Sequence, residues 1–491
     1  MPQQPADDHV DIVQENPTGS PDAPAIVLAE SQESQEASIA DPQSSRTFRQ
    51  FSSIWSAVLL LLILSFVMVM IYLLLFPLMG DPALINDSVQ SALPGLFPWL
   101  AEISWTTALP QVVAQVARIP WLNPLQPGAG RANLQMLLLV LACVCMLLAA
   151  WVGNRVARLR ISRGHARVLF WVVLLSTVTF GATLLLAPVR LDAMSRDMLV
   201  SGLYGRMMVV YHVNPYVVSP AIFQHDMLYS AFLHVPTTLS LPSTAIAGPV
   251  WMDLSLLVAL LARDSTANIL LGFRLVGLVA HLVSATLVWS LLGELKPEMR
   301  LASMIFYAWN PLILLFGVFA VHLEIVVILF LLLAFVFFQR DALVLSWVFA
   351  LLAVLVNVLC LPLLLLIGHM SMKKARLLRA RRHAYWWLVA VLVSAVVVLL
   401  AYLPYWQQAG SVVFTAGLFQ AFWPDHVTNS LAEALINLPV QLPAVVVWLV
   451  DPHHWTLCAL VIIALFFLLF PGWPIRWIPC WYVEAGCSCC C

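Results

Sequence analysis

Long apolar runs separated by short polar segments fill the chain from residue 54 onwards. A helix that crosses a bilayer needs about 20 consecutive, mainly apolar residues. Runs close to that length lie at residues 54–79, 134–152, 166–188, 267–292, 301–320, 322–338, 343–370, 385–405 and 440–471. The two longest runs are predicted to hold two spans each. The pattern therefore predicts an all-α polytopic membrane protein with about ten or eleven transmembrane helices.

The amino-acid composition agrees with this class and sets the N-terminal segment apart. Of the 491 residues, 62% are apolar and only 10% are charged, which is far from the balance of a soluble domain. The first 45 residues instead carry nine carboxylates and no Lys or Arg, with too few apolar groups to form a core. We therefore expect a disordered acidic tail over residues 1–50 and a membrane domain over residues 51–486.

Two clusters of basic residues orient the spans. Five arginines lie within residues 155–167, and six Lys or Arg residues lie within residues 373–382. Because basic short loops stay on the cytoplasmic side, we expect a multi-pass protein of the plasma membrane with a cytoplasmic N-terminus. Residues 189–247 then form an external loop. The near-neutral net charge of −1 gives no indication of a nucleic-acid partner.

The apolar segment at residues 248–262 leaves two topologies open. If this segment spans the membrane, His322 and Glu324 lie on the cytoplasmic side, away from Asp197. If it is a re-entrant or interfacial helix and residues 343–370 form two short helices, all three side chains lie outside. We favour the second topology because it keeps more of the basic residues inside.

The polar segment from Asp192 to Trp251 is the first candidate for chemistry, because it interrupts an otherwise apolar chain and is rich in Pro and Tyr. Short motifs lie in this segment and beyond it. In chain order they are Asp197-Met198-Leu199, Gly205-Arg206, Asn214-Pro215-Tyr216, Gly248-Pro249-Val250-Trp251, Trp309-Asn310-Pro311 and His322-Leu323-Glu324. Each motif alone is a common turn or helix start. The order and spacing of the motifs along the chain are therefore more informative than any single motif.

In this order and spacing, the motifs resemble those of bacterial polytopic glycosyltransferases with the GT-C fold. Within that class the chain resembles the polyprenol-phosphate-mannose-dependent alpha-(1,6)-mannosyltransferase group over residues 130–485. The resemblance implies a GT-C-like bundle with a large external loop that carries interfacial helices. It also implies transfer of a sugar, mannose in that group, from a polyprenyl-phosphate donor to a glycan or glycolipid acceptor on the outer face.

Two other functions stay open. A flippase or transporter of lipid-linked sugars is expected to show internal repeats with paired broken helices, and no such repeat is evident in the sequence. A catalytically degenerate family member is the other alternative, because the chain departs from the family pattern. His322-Leu323-Glu324 stands where the group has His-Asn-Asp, and Asn357 stands where it tends to carry Lys.

Asp197 falls on the position of the family's catalytic carboxylate, so the resemblance implies that it takes the proton of the acceptor hydroxyl. As an isolated residue it would be interpreted as a helix cap. Arg196 and Arg206 carry planar donor groups suited to a phosphate, and snorkelling to lipid headgroups is the alternative. Asn214 and Tyr216 are candidate substrate contacts, although a structural turn around the intervening proline explains them better.

Four further polar residues are candidate substrate contacts. Asp253 is an ionisable group among apolar neighbours, which marks either function or a buried partner. His322 and Glu324 are two residues apart and do not share a helical face. To contact the same substrate or metal ion, both residues would have to lie in the loop before the helix. The alternative is that they cap that helix. Asn357 could donate a hydrogen bond to the donor phosphate.

No cofactor follows from the sequence, and a divalent metal ion stays open. The cysteines at residues 487–491 lack the two separated ligand pairs of a zinc site. This Cys-rich segment is interpreted as a lipidated end, a truncated end or the product of an altered reading frame.

Overall fold

The computed structural model describes residues 42–75, 129–158, 162–186, 196–233, 244–245, 247–378 and 380–406, and the regular structure within these residues is all helical. The chain divides into two units, Met1–Ser53 and Ile54–Cys491, and the packing described below belongs to the second. The first helix begins at Pro42, inside the segment predicted to be disordered. The remainder of that tail and the Cys-rich end lie outside the described residues.

Twelve α-helices are present in the described part of the chain. They are α1 (Pro42–Leu75), α2 (Ala129–Ala157), α3 (Arg163–Leu186), α4 (Arg196–Val209), α5 (Met227–Leu233), α6 (Pro249–Ala262), α7 (Thr266–Leu295), α8 (Arg300–Ala308), α9 (Glu324–Gln339), α10 (Leu343–Val356), α11 (Leu361–Leu378) and α12 (Ala380–Tyr402). A π-helical segment, Ile313–Phe319, follows α8. Short 3-10 turns lie at Pro220–Ile222, Val358–Cys360 and Leu403–Tyr405.

Several of the predicted apolar runs are helices that are able to cross a membrane. By length and composition these are Ile54–Leu75, Asn133–Ala157, Gly164–Leu185, Thr266–Leu295 and Leu388–Tyr405. The pair formed by α8 and the π-helical segment passes the same test but is bent by 56°. These helices confirm the predicted all-α membrane class. The run at residues 440–471 lies outside the described residues, so the count of ten or eleven spans stays a prediction.

The bend between α8 and the π-helical segment has a local cause. Pro311 has no backbone N–H and cannot extend the hydrogen bonding of α8. The side-chain oxygen of Asn310 instead accepts from the backbone N–H of Leu312 at 3.0 Å, which starts the next turn. The chain then winds through the π-helical segment to the loop that carries His322.

The two segments on which the predicted topology depends form one short helix and one broken pair of helices. Helix α6 has 14 residues, about 21 Å at 1.5 Å per residue, which is less than the thickness of about 30 Å of a hydrocarbon core. Residues 343–370 are divided into α10 and α11 at Asn357, where the backbone is extended. The backbone N–H of Gly248 donates to Val356 O at 3.0 Å and ties the start of α6 to this break. Both findings agree with the favoured topology.

Close packing of α4 against α6 positions the N-terminus of α4. Gly205 of α4 lies against the backbone of Ser255 in α6, so near that a Cβ atom at Gly205 would overlap the Ser255 carbonyl. One turn earlier, the buried Trp251 side chain donates from Nε1 to Ser201 Oγ at 3.0 Å. These contacts hold the two helices in register and leave a space beside the first turn of α4.

Candidate functional site

A cavity of about 180 Å³ lies between α4, α6 and the loop that precedes α9. Its polar lining consists of Asp197, Ser201, Tyr204, Trp251, His322 and Glu324. Apolar side chains such as Val200 and Met252 complete the wall. A mainly apolar cavity with a few convergent polar groups is typical of small-molecule sites.

One face of α4 supplies three of these polar side chains. Asp197, Ser201 and Tyr204 lie at positions i, i+4 and i+7, which share a helical face. Asp197 lies in the first turn, where the helix dipole favours a carboxylate. The Tyr204 hydroxyl donates to Thr244 O at 3.1 Å. The sequence analysis identified Asp197 and missed Ser201 and Tyr204, although their helical spacing from Asp197 could have indicated them.

The Asp197 carboxylate contacts the imidazole of His322, with Oδ2 3.1 Å from Nδ1. The exposed fraction is 52% for the Asp197 side chain and 22% for the His322 side chain. The two residues are far apart in sequence, with Asp197 in α4 and His322 in the loop before α9. Their contact places them on the same side of the membrane domain, as the favoured topology predicted.

The loop that carries His322 has a strained backbone. Val321, directly before it, has a φ of 52°, which is an outlier for a β-branched residue. The backbone N–H of His322 donates to Phe316 O at 2.9 Å, and its ring centroid lies 5.5 Å from that of the Phe316 ring. The loop therefore holds His322 against both the π-helical segment and α4.

The contact shifts the protonation of both partners. The hydrogen bond from His322 lowers the pKa of Asp197, against the opposing effect of burial. The hydrogen bond to Asp197 raises the pKa of His322, again against burial. The contact therefore favours the ionised carboxylate and the protonated imidazole. Within the described structure, His322 Nε2 is buried and has no hydrogen-bond partner.

Glu324 is the first residue of α9 and also lines the cavity. His322 thus lies in the loop before the helix and Glu324 in its first turn, so both reach the same cavity in spite of their spacing. Glu324 also lies where the dipole of α9 favours a carboxylate. Among the described residues, no group of three or more His, Cys, Asp or Glu side chains is placed to hold a metal ion.

Arg206 forms a buried ion-pair network away from the cavity lining. Its Nε lies 2.8 Å from Asp226 Oδ2, and its Nη1 lies 3.0 Å from Asp264 Oδ1. Nη1 also donates to the backbone oxygen of Arg263 at 3.3 Å. The structure therefore brings Arg206 to the turn between α6 and α7. Arg196 lies next to Asp197, and its charge further lowers the Asp197 pKa after the effects of His322 and burial.

Asn214 and Tyr216 form a turn that connects the segment after α4 with the 3-10 turn after α12. The Asn214 side chain accepts from the Tyr216 backbone N–H at 2.9 Å and donates to Tyr405 O at 2.8 Å. The Tyr216 hydroxyl donates to Ala247 O at 2.8 Å. These contacts match the structural turn that was the alternative to substrate binding.

Asp253 and Asn357 each have a partner outside the cavity lining. Asp253 of α6 accepts a hydrogen bond from the Tyr405 hydroxyl at 2.8 Å. The Asn357 side-chain oxygen accepts from the backbone N–H of Leu359 at 3.1 Å and caps the turn that follows. The structure thus brings together Asp197, His322 and Glu324, and it places Arg206, Asp253 and Asn357 elsewhere.

Comparison with known families points to the same region of the chain. A family model described as alpha-(1->6)-mannopyranosyltransferase, N-terminal domain, matches residues 99–373. The match covers more than half of the chain and includes every residue that lines the cavity. No curated protein and no solved structure matches the chain. The match confirms the family that the motifs indicated, and it supports glycosyltransferase activity.

Proposed function

Because the chain belongs to the alpha-(1->6)-mannopyranosyltransferase family, we propose that it transfers a mannosyl group from a polyprenyl-phosphate donor. The acceptor is a hydroxyl group of a glycan or glycolipid on the outer face of the plasma membrane. The bilayer-embedded helices suit a lipid-linked donor, because its polyprenyl chain partitions into the membrane.

The observation that carries this proposal is the Asp197–His322 pair in the wall of the cavity. Glycosyl transfer requires a group that takes the proton of the acceptor hydroxyl while the hydroxyl oxygen attacks the anomeric carbon of the donor. An ionised carboxylate in contact with an imidazole supplies a proton acceptor at this place. The cavity lies beside the first turns of α6 and α9.

Transfer also requires a group that stabilises the departing phosphate. Arg196 is our candidate, because it lies beside Asp197 and acts electrostatically on it. Arg206 is less suited to this role, since Asp226 and Asp264 already pair with its guanidinium. Glu324, in the cavity wall, is our candidate to accept hydrogen bonds from sugar hydroxyls.

An assay with the purified full chain in proteoliposomes tests this proposal. Labelled polyprenyl-phosphate mannose and a short mannoside acceptor are supplied on the face that carries the external segment. We expect a labelled product extended by one mannose, and no product from a nucleotide-linked mannose. Translocation of the labelled lipid without product would identify a flippase. Neither product nor translocation would contradict the proposed activity.

A further inference from the structure

Helix α7 carries two ionisable side chains that are buried inside the membrane domain. Arg274 is 1% exposed and His281 is 0% exposed. Both lie within Thr266–Leu295, which is long and apolar enough to cross a bilayer. An ionisable group in such a helix is costly to bury and usually has a functional or pairing role. Neither residue is among those that line the cavity, so the role has to be found in their contacts.

His281 supplies a hydrogen bond that the proline break takes away from the end of α8. Ala308 is the last residue of α8, and its carbonyl would normally accept from an N–H group three or four residues later. Pro311 has no N–H, and the N–H of Leu312 donates to Asn310 Oδ1. His281 Nε2 lies 3.0 Å from Ala308 O. Because a carbonyl oxygen only accepts, Nε2 is the donor.

Arg274 has the corresponding role at the other end of the π-helical segment. Phe319 is the last residue of that segment, and Arg274 Nε donates to its carbonyl oxygen at 3.2 Å. The guanidinium carbon also lies 4.2 Å from the centroid of the Phe319 ring, which is a favourable cation–π distance. The backbone N–H of His322, three residues after Phe319, donates to Phe316 O.

The two side chains lie on one face of α7. They are seven residues apart, which is two turns of the helix, or about 10.5 Å along its axis. Between them, the backbone of Gly277 lies so close to the π-helical segment that a Cβ atom there would overlap the Gly317 carbonyl. Helix α7 therefore contacts this segment at both of its ends and in its middle.

We propose that Arg274 and His281 are positioning residues for glycosyl transfer, which hold both ends of the π-helical segment against α7 and so place His322 against Asp197. This inference rests on the proposed function and leaves Asp197 as the group that takes the acceptor proton. Neither positioning residue has to reach the cavity, because each acts through the backbone of the broken helix.

The strained loop after the π-helical segment requires such a support. Val321 follows Phe319 by two residues and has a φ of 52°, an outlier for a β-branched residue. Backbone strain of this kind persists only where the surrounding structure enforces it. The contacts of Arg274 with the backbone and ring of Phe319 hold the start of this loop. Loss of these contacts allows the loop to relax and His322 to move away from α4.

The contact between His322 and Asp197 also determines the pH dependence of transfer. Asp197 has to be ionised to take a proton, so the rate rises with pH through its pKa. The hydrogen bond from His322 has the largest effect on this pKa and lowers it, burial opposes it, and Arg196 lowers it further. Tyr204 and Glu324 are the other titratable residues of the cavity lining, and the α6 residues there are uncharged. Loss of the contact therefore moves the rise in rate to higher pH.

Paired substitutions at His281 isolate the hydrogen bond to Ala308. Gln and Met have side chains of similar length, but only Gln has an N–H donor. A misplacement of about 1 Å can cost about 100-fold in rate. We therefore expect His281→Met to lower the transfer rate by about 10- to 100-fold, and His281→Gln to stay close to the wild-type rate. The assay uses the purified full chain in proteoliposomes, with polyprenyl-phosphate mannose and a mannoside acceptor.

Arg274→Met removes both contacts with Phe319. We expect a loss of rate similar to that of His281→Met. Arg263→Met is the matched control, because it makes the same change at an exposed arginine, and we expect it to keep the wild-type rate. The rate of each variant is measured as a function of pH. In His281→Met and Arg274→Met we expect the rise in rate at higher pH than in the wild-type protein and in Arg263→Met.

The pH profile distinguishes positioning from a loss of folded protein, which lowers the rate at every pH and leaves the rise in place. Wild-type rates in folded His281→Met and Arg274→Met would overturn the inference, as would lower rates with an unshifted profile. If only one of the two variants folds, its profile decides. If neither folds, the contacts serve stability alone and the inference is wrong. An inactive wild-type protein overturns the proposed function, whereas an active wild-type protein with unshifted variants overturns this inference alone.

Discussion

The guanidinium of Arg206 is held by one acceptor from the segment after α4 and by others from the turn after α6. Asp226, whose side chain is fully buried, accepts at 2.8 Å, and Asp264, whose side chain is 85% exposed, accepts at 3.0 Å. Asp226 also accepts from the Tyr211 hydroxyl and from the backbone N–H of Leu228. The network joins the end of α4, the start of α5 and the turn after α6. These ion pairs and hydrogen bonds therefore hold the residues between α4 and α5 against the turn after α6.

Replacement of Arg206 by Met leaves the buried Asp226 carboxylate without its cation. We expect this variant to be destabilised by about 3–5 kcal/mol, the usual cost of removing one partner of a buried pair. Asp264→Asn removes the exposed partner and is expected to cost about 0–1 kcal/mol. Thermal unfolding in detergent measures both. An Arg206→Met protein with wild-type stability that fails to bind the donor would indicate a phosphate-binding role instead.

Close contact between α4 and α6 determines where the first turn of α4 lies. The contact depends on Gly205, because any side chain there would meet the backbone of Ser255. The apolar runs of the sequence predicted most of the helices, since length and hydropathy are local properties. They could not predict the α4–α6 contact, which depends on the three-dimensional approach of two backbones. The same limit applies to Asp197 and His322, whose meeting depends on how α8 and the π-helical segment bend.

A methyl group at Gly205 tests this contact. We expect Gly205→Ala to destabilise the protein by about 1–3 kcal/mol, because overpacking forces the helices apart. Gly164→Ala is a suitable control, since a Cβ there would have only the Ser162 hydroxyl within 4 Å, at 3.9 Å. The thermal midpoints of the two variants in the same detergent give the comparison. Equal midpoints would contradict the close packing of α4 and α6.

The whole membrane domain has two chemically different ends. At one end, Asp197 meets His322, and Tyr405 contacts both Asn214 and Asp253. At the other end, Lys374 pairs with Asp341 and donates to the backbone of Phe338. Lys374 belongs to the second basic cluster of the sequence, which is predicted to be cytoplasmic. Which residues of the first end form a site could be seen only from the folded chain.

Single cysteines in a background without native cysteines test the orientation. His225→Cys lies in the segment predicted to be external and Glu298→Cys in the turn after α7, and both positions are exposed. Helix α7 has 30 residues and is long and apolar enough to cross a bilayer, so we expect these positions to lie on opposite sides. A membrane-impermeant thiol reagent is expected to label His225→Cys in intact cells and Glu298→Cys only after permeabilisation. The reverse pattern would contradict the outward placement of the cavity.

The transfer rate of Asp197→Asn is the most direct test of the account, because the carboxylate is lost while the shape of the side chain is kept. With polyprenyl-phosphate mannose and a mannoside acceptor, we predict a rate lower by about 100-fold or more, with expression and thermal stability unchanged. Asp264→Asn, the same change at an exposed carboxylate, is predicted to keep the wild-type rate. A fully active Asp197→Asn protein would contradict the assignment of the cavity as the site of glycosyl transfer.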